Sequence, residues 1–164
     1  MDQRYIPEFK IKNLRTYILS AILSVAIIRV EAQENDSTEI MQATLKFVDA
    51  FNSLDWKVFS QSFTEDATIF FPEWEQARRR SGRLAIDKSW LEIFPEFNDT
   101  ASTLELNIVP EDLQVQRYGR TAIITFHMGD DKSFLARRTI VMVRRNRHWR
   151  IAHLHASMLS PTNR

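Results

Sequence analysis

The sequence predicts an α+β fold: a cone-shaped roll in which a strongly bent antiparallel sheet wraps around three N-terminal helices. Three observations carry this. Apolar residues recur at three- and four-residue spacings in the first half of the chain only. After Pro95 the pattern changes to period two, in consecutive segments separated by short turns. No internal repeat or low-complexity tract suggests another organisation, and 164 residues suit one domain. Helices first and strands afterwards is the order of α+β proteins. Packing the helices on the inner face of a bent sheet buries both sets of aromatic residues and leaves a conical space between them.

The N-terminus stands apart from that domain. Lys10, Lys12 and Arg15 precede an apolar run, Tyr17 to Ile28, broken only by Ser20 and Ser24. Val30-Glu31-Ala32 is a small-x-small triplet, and Gln33-Glu34-Asn35-Asp36 is polar. A basic region, a short apolar core and a cleavage triplet describe a secretory signal peptide over 1–32. The run is shorter than the roughly 20 residues a membrane span needs. An uncleaved segment would instead anchor the protein, and only then is a membrane partner expected. The expectation is an exported protein, periplasmic or extracellular, with residues 33–164 as its single domain. Losing Arg4, Lys10, Lys12, Arg15 and Arg29 with Asp2, Glu8 and Glu31 takes the formal charge from +1 to −1. Nucleic acid is therefore not an expected partner. The absence of Cys excludes disulfides, thiolate chemistry and Cys-ligated zinc.

Within the domain, Asp36-Ser37-Thr38-Glu39 has capping character, and Ile40, Phe47, Val48, Phe51 and Leu54 define the apolar face of a helix over about 37–53. Asp55 can cap a short second helix, Trp56 to Phe63. Thr64-Glu65-Asp66 reads as a turn, and Ala67 to Phe71 as a strand stopped by Pro72. Glu73 to Arg83 is irregular and carries Trp74 with Arg78, Arg79, Arg80 and Arg83. It is a solvated loop or a lid whose Trp74 covers a pocket mouth. Gly82 precedes a third helix, Leu84 to Phe94, ended by Pro95. Strands follow at 103–109, 113–116, 121–128, 134–145 and 149–158, with turns at Tyr118-Gly119-Arg120, Gly129 to Lys132 and Asn146 to His148. Residues 160–164 are a tail.

The last strand carries the chemistry. Strict alternation along Trp149 to Met158 puts Trp149, Ile151, His153, His155 and Ser157 on one face, and Arg150, Ala152, Leu154, Ala156 and Met158 on the other. A half-apolar face with two imidazoles and a hydroxyl has the character of a pocket wall. The imidazoles stand ~7 Å apart along the strand, and an imidazole is the side chain suited by its ordinary chemistry to general acid or base work. Each could equally be a hydrogen-bonded wall or rim residue. A His-x-His metal site would need a third ligand; His127 and Glu105 are candidates, but no spacing selects either, so no metal is expected. On the preceding strand Arg137 and Thr139 share one face, and Arg138 and Ile140 the other. Whichever arginine faces the cone offers a fixed cation for a carboxylate or enolate.

Two segments carry a family resemblance. Val48-Asp49-Ala50-Phe51-Asn52-Ser53-Leu54-Asp55-Trp56, followed by Phe63-Thr64-Glu65-Asp66-Ala67, resembles the opening of the nuclear transport factor 2-like superfamily, in its SnoaL-like and ketosteroid-isomerase-like branch. Arg137-Arg138-Thr139-Ile140-Val141 with Trp149 to Ser157 resembles the close of SnoaL-like domains, and that of the association domain of calcium/calmodulin-dependent protein kinase II. The likeness spans about 36–159. It implies the conical fold, a homodimer or higher homo-oligomer, and Arg137 as the matching arginine, two before Thr139. It does not imply one activity, since the superfamily holds isomerases, dehydratases, cyclases, epoxide hydrolases, transport factors and assembly modules. The Asp–Tyr set of ketosteroid isomerases is unsupported, because the one tyrosine after residue 32 is Tyr118, in an expected turn. The Asp-Arg-Asp set of epoxide hydrolases lacks strand-borne aspartates. Cyclases often carry an acid between the closing histidines, where this chain has Leu154.

The resulting expectation is a small, partly apolar ligand in a cone lined by Phe51, Phe71, Trp90, Phe94, Phe126 and Ser157, with Trp74 at the mouth. No cofactor is expected. Any catalysis would be metal-free proton transfer of isomerase, dehydratase or cyclase type, using His153 or His155 with Arg137 as oxyanion partner. The competing expectation is a non-catalytic assembly module, contacting its neighbours through Arg150, Leu154, Ala156 and Met158.

Overall fold

The structure, a computed structural model, describes residues 36–72, 78–99, 104, 106–130 and 134–159. Ser37–Arg164 form one compact unit. The basic and apolar N-terminal segment, with its expected cleavage site after Ala32, lies outside the described residues.

Helix α1 runs through 36–52 and buries Ile40, Phe47, Val48 and Phe51, the apolar face read from spacing. Asp55 caps α2, Trp56–Gln61, by accepting a hydrogen bond from the Val58 amide at 3.0 Å. The chain then enters β1, Phe63–Phe70, earlier than the sequence suggests. Thr64-Glu65-Asp66 is strand rather than turn, with Glu65 and Asp66 exposed along it. β2, Arg80–Ser81, pairs antiparallel with β1. Gly82 precedes α3, Arg83–Ile93, at φ +81°, a left-handed conformation that glycine adopts without strain. Pro95 opens a 3-10 turn, Pro95–Asn98. The antiparallel meander comprises β3 (Glu111–Tyr118), β4 (Thr121–Asp130), β5 (Phe134–Arg145) and β6 (His148–Leu159).

The sheet order is β2-β1-β6-β5-β4-β3. It is mixed, because β1 and β6 are parallel. The chain crosses from β1 to the far edge before the meander starts, and the meander's fourth strand returns beside β1 in the same direction. Its two edges remain apart, so the sheet is open. The described part of 103–109 is not strand. Its register is set instead by Asn52 of α1, whose side chain donates to the Ile108 carbonyl and accepts from the Ile108 amide, both at 2.9 Å. A side-chain amide has taken the place of a neighbouring strand.

The core lies between the helices and the inner sheet face. Phe59 is fully buried at its centre, its ring 5.0 Å from those of Trp90 and Phe97 and 5.1 Å from that of Phe47. Ile124, Ile140 and Leu154, side by side on β4, β5 and β6, close it from the sheet.

Candidate functional site

Between the aromatic core and the inner sheet face is a cavity of about 160 Å³. Phe51 of α1, Trp90 and Phe94 at the end of α3, Phe71 after β1, and Phe126 of β4 all line it. Their rings brace one another: Phe51 lies 4.9 Å from Phe94, and Phe71 lies 4.9 Å from Trp90, both edge-on. Ile108, held by Asn52, supplies part of the wall. Trp74, the expected cover, lies outside the described residues. Of the arginines grouped with it, Arg80 donates to Ser89 at 3.2 Å and Arg83 pairs with Asp87 at 3.1 Å.

The sheet side of the cavity differs from expectation. It is formed by Leu154, Ala156 and Met158 of β6, with Met128 and Arg138 from the neighbouring strands. The cause is a β-bulge. Met142 pairs with Ile151 but Val141 pairs with His153, so Ala152 is an extra residue in β6. Trp149 and Ile151 face inward, as alternation predicts; one residue later the phase slips. Leu154 and Ala156 then face inward, 2% and 5% exposed, and His153, His155 and Ser157 face outward. The expected pairing of Trp149 and Ile151 with the histidines on one face is thus corrected. So is the expected subunit contact through Leu154 and Ala156, which are interior.

The same parity places Arg138, rather than Arg137, at the cavity. Arg137 pairs with Ser157 on the outer face and is exposed. Arg138 sits opposite Phe126 on β4. Its Nη1 donates to the Arg137 carbonyl at 3.0 Å and, across to β6, to the Ser157 carbonyl at 3.4 Å. Among the described residues lining the cavity it is the sole ionisable side chain.

The structure therefore divides the predicted site residues into two groups. Phe51, Phe71, Trp90, Phe94 and Phe126 surround the cavity; Arg137, His153, His155 and Ser157 gather on the opposite side of the sheet. On that side Thr68 Oγ1 and His153 Nδ1 are hydrogen-bonded at 2.8 Å. The Phe70 ring packs against His153 at 5.9 Å and His155 at 5.6 Å. Burial, with the charges of His155 and Arg79 behind it, lowers the His153 pKa below its ordinary value. His127 lies 3.4 Å from Glu111, at the β3 edge. Among the described residues no group of three potential metal ligands converges; Glu105 lies outside them.

The sequence matches the SnoaL-like domain family over residues 40–161. Several solved structures are similar. An NTF2-like protein of unknown function from Pseudomonas putida KT2440 is 19% identical, with a TM-score of 0.63, over 76% of this chain and 87% of that one. A ketosteroid isomerase-like protein from Erwinia carotovora atroseptica is 16% identical, with a TM-score of 0.58, over 76% and 96%. An NTF-2 like protein of unknown function from Shewanella oneidensis MR-1 is 16% identical, with a TM-score of 0.56, over 74% and 98%. Such likenesses establish the conical NTF2-like fold. No curated protein matches.

Proposed function

The chain belongs to the SnoaL-like domain family, and from that premise we propose that it binds a small, mainly apolar molecule bearing a carboxylate or carbonyl in the cavity between α1, α3 and the sheet. The observation that carries this reading is one tethered guanidinium, Arg138, in an otherwise apolar and aromatic wall. Most small-molecule sites combine apolar lining with a few placed polar groups. The two backbone carbonyls that hold Arg138 fix the direction of its remaining donors, so less side-chain entropy is lost when an anion is bound. At about 160 Å³ the space resembles the ~150 Å³ cavities that admit benzene. A single ring with a short acidic or ketone arm is the class that fits.

In this reading Arg138 takes the oxyanion role that the sequence suggested for Arg137. Proton transfer by His153 or His155 would need a second site, on the outer face. Self-association, expected from the resemblance, would use that outer face too, since Leu154 and Ala156 are interior. The N-terminal segment supports export of the protein.

The test is thermal unfolding of the purified protein with a panel of single-ring carboxylates and ketones, repeated on Arg138→Gln and His153→Ala. A ligand at 100 times its Kd adds about 2.7 kcal/mol. Carboxylate affinity should fall about tenfold or more in Arg138→Gln, a loss of roughly 1.5–3 kcal/mol for a hydrogen bond to a charged group. It should hold in His153→Ala. Hits that survive Arg138→Gln and vanish in His153→Ala would move the site to the outer face and overturn the proposal.

A further inference from the structure

A second concavity, with no lining residue in common with the cavity above and of about 470 Å³, opens between α1, α2 and the β5–β6 turn. Its lining includes Lys46 of α1, Arg147 of the turn, and His148 and Arg150 of β6. Among the described residues its one acid is Glu39, engaged by Arg144 at 3.0 Å. Arg150 is held in place by donating to the Gln61 carbonyl of α2. Among the described residues no carboxylate pairs with Lys46, Arg147 or His148. The groove thus concentrates positive charge on one part of the domain surface.

A second observation concerns the backbone. β5 and β6 are joined by a two-residue turn, Asn146-Arg147, with φ +51° and +64°. Two positive φ values are the arrangement of a type I′ turn, in which Asn-Gly is the preferred pair. Asn tolerates the left-handed region; a long side chain such as arginine is strained there. Glycine would relax the turn. The chain instead carries a cation, on the rim of a groove already lined by two others. Strain at a residue that is simple to replace points to a task for its side chain.

We propose that this groove binds a phosphate-bearing ligand, with Arg147, Lys46 and Arg150 neutralising the phosphate oxygens. Three cations carried by three separate elements suit a multivalent anion better than a single carboxylate, and guanidinium forks match phosphate geometry. The site is independent of the Arg138 cavity and stands or falls separately. A soluble phosphate ester and an anionic lipid headgroup share this chemistry.

The test uses the purified protein with inorganic pyrophosphate as probe, read by melting temperature and calorimetry. Wild type should bind pyrophosphate with micromolar to low-millimolar affinity and melt higher in its presence. Arg147→Gly should melt about 3–5 °C higher than wild type without ligand and lose at least tenfold in pyrophosphate affinity. Lys46→Gln should weaken binding severalfold without changing the ligand-free melting temperature. Co-sedimentation with phosphatidylglycerol vesicles, competed by pyrophosphate, would identify the ligand as a headgroup; pyrophosphate binding without vesicle binding would identify a soluble ester. A wild type indifferent to pyrophosphate, or an Arg147→Gly protein that binds as tightly as wild type, overturns the proposal.

Discussion

The two faces of the β5–β6 pair are made from interleaved residues, yet they do opposite things. Inward, Ile140, Met142, Leu154 and Ala156 are buried and close the aromatic core. Outward, Arg137, Thr139, His153, His155 and Ser157 form a polar, imidazole-rich surface on which Phe70 rests. One bulged residue, Ala152, shifts the phase so that Trp149 and Ile151 share the inner face with Leu154 and Ala156. Side-chain chemistry alone does not locate a site, because the phase of the strand determines what that chemistry touches.

Substituting across the faces should give unequal losses. Leu154→Ala removes a side chain that is 2% exposed and should cost about 2–5 kcal/mol. His155→Ala, one position along and exposed, should stay within about 0.5 kcal/mol. Urea unfolding of both variants would check this; equal losses would mean the faces are assigned wrongly. Deleting Ala152 is subtler. It removes the extra residue while leaving Leu154 inward and His153 outward, so it should cost less, about 1–2 kcal/mol. A protein that no longer folds after this deletion would show that the bulge shapes the whole sheet.

The smallest expected effect is a pH dependence on the outer face. Burial lowers the His153 pKa below its ordinary value of 6.5, and the charges of His155 and Arg79 lower it further. The unfolded chain therefore takes up the proton first as pH falls. Stability supplied by neutral His153 is present above 6.5, declines between 6.5 and the lower native value, and is absent below both. His153→Gln should flatten the stability–pH curve across that window. An unchanged slope in the variant would assign the titration to another group.

Much of the fold was legible from local pattern. The bounds of β5 follow from its β-branched and apolar run between two turns, and the α2 cap follows from Asp55 before Trp56. The clustering of the large rings in the core was legible too, because they have few other places to go. What escaped were features set by non-local partners. Glu65 and Asp66 look like turn residues but are the exposed positions of β1. The alternation in 103–109 resembles a strand, whereas Asn52, far back in α1, pairs with it instead. The choice of Arg138 over Arg137, and the outward turn of the histidines, both depend on strand phase. One signal was available: Trp149, Ile151, Leu154 and Ala156 are spaced two, three, two, a slip that a strictly regular strand cannot satisfy.

The sheet order also has a consequence in time. β6, residues 148–159, lies between β1 and β5. As the chain grows from its N-terminus, β1 with β2 on one side and β3 through β5 on the other have no strand to join them until the final hairpin is made. Each half-sheet keeps an unpaired edge and an unclosed apolar face up to that moment. The domain therefore commits to its structure late and all at once, and its sheet stays open for nearly the whole length of its synthesis.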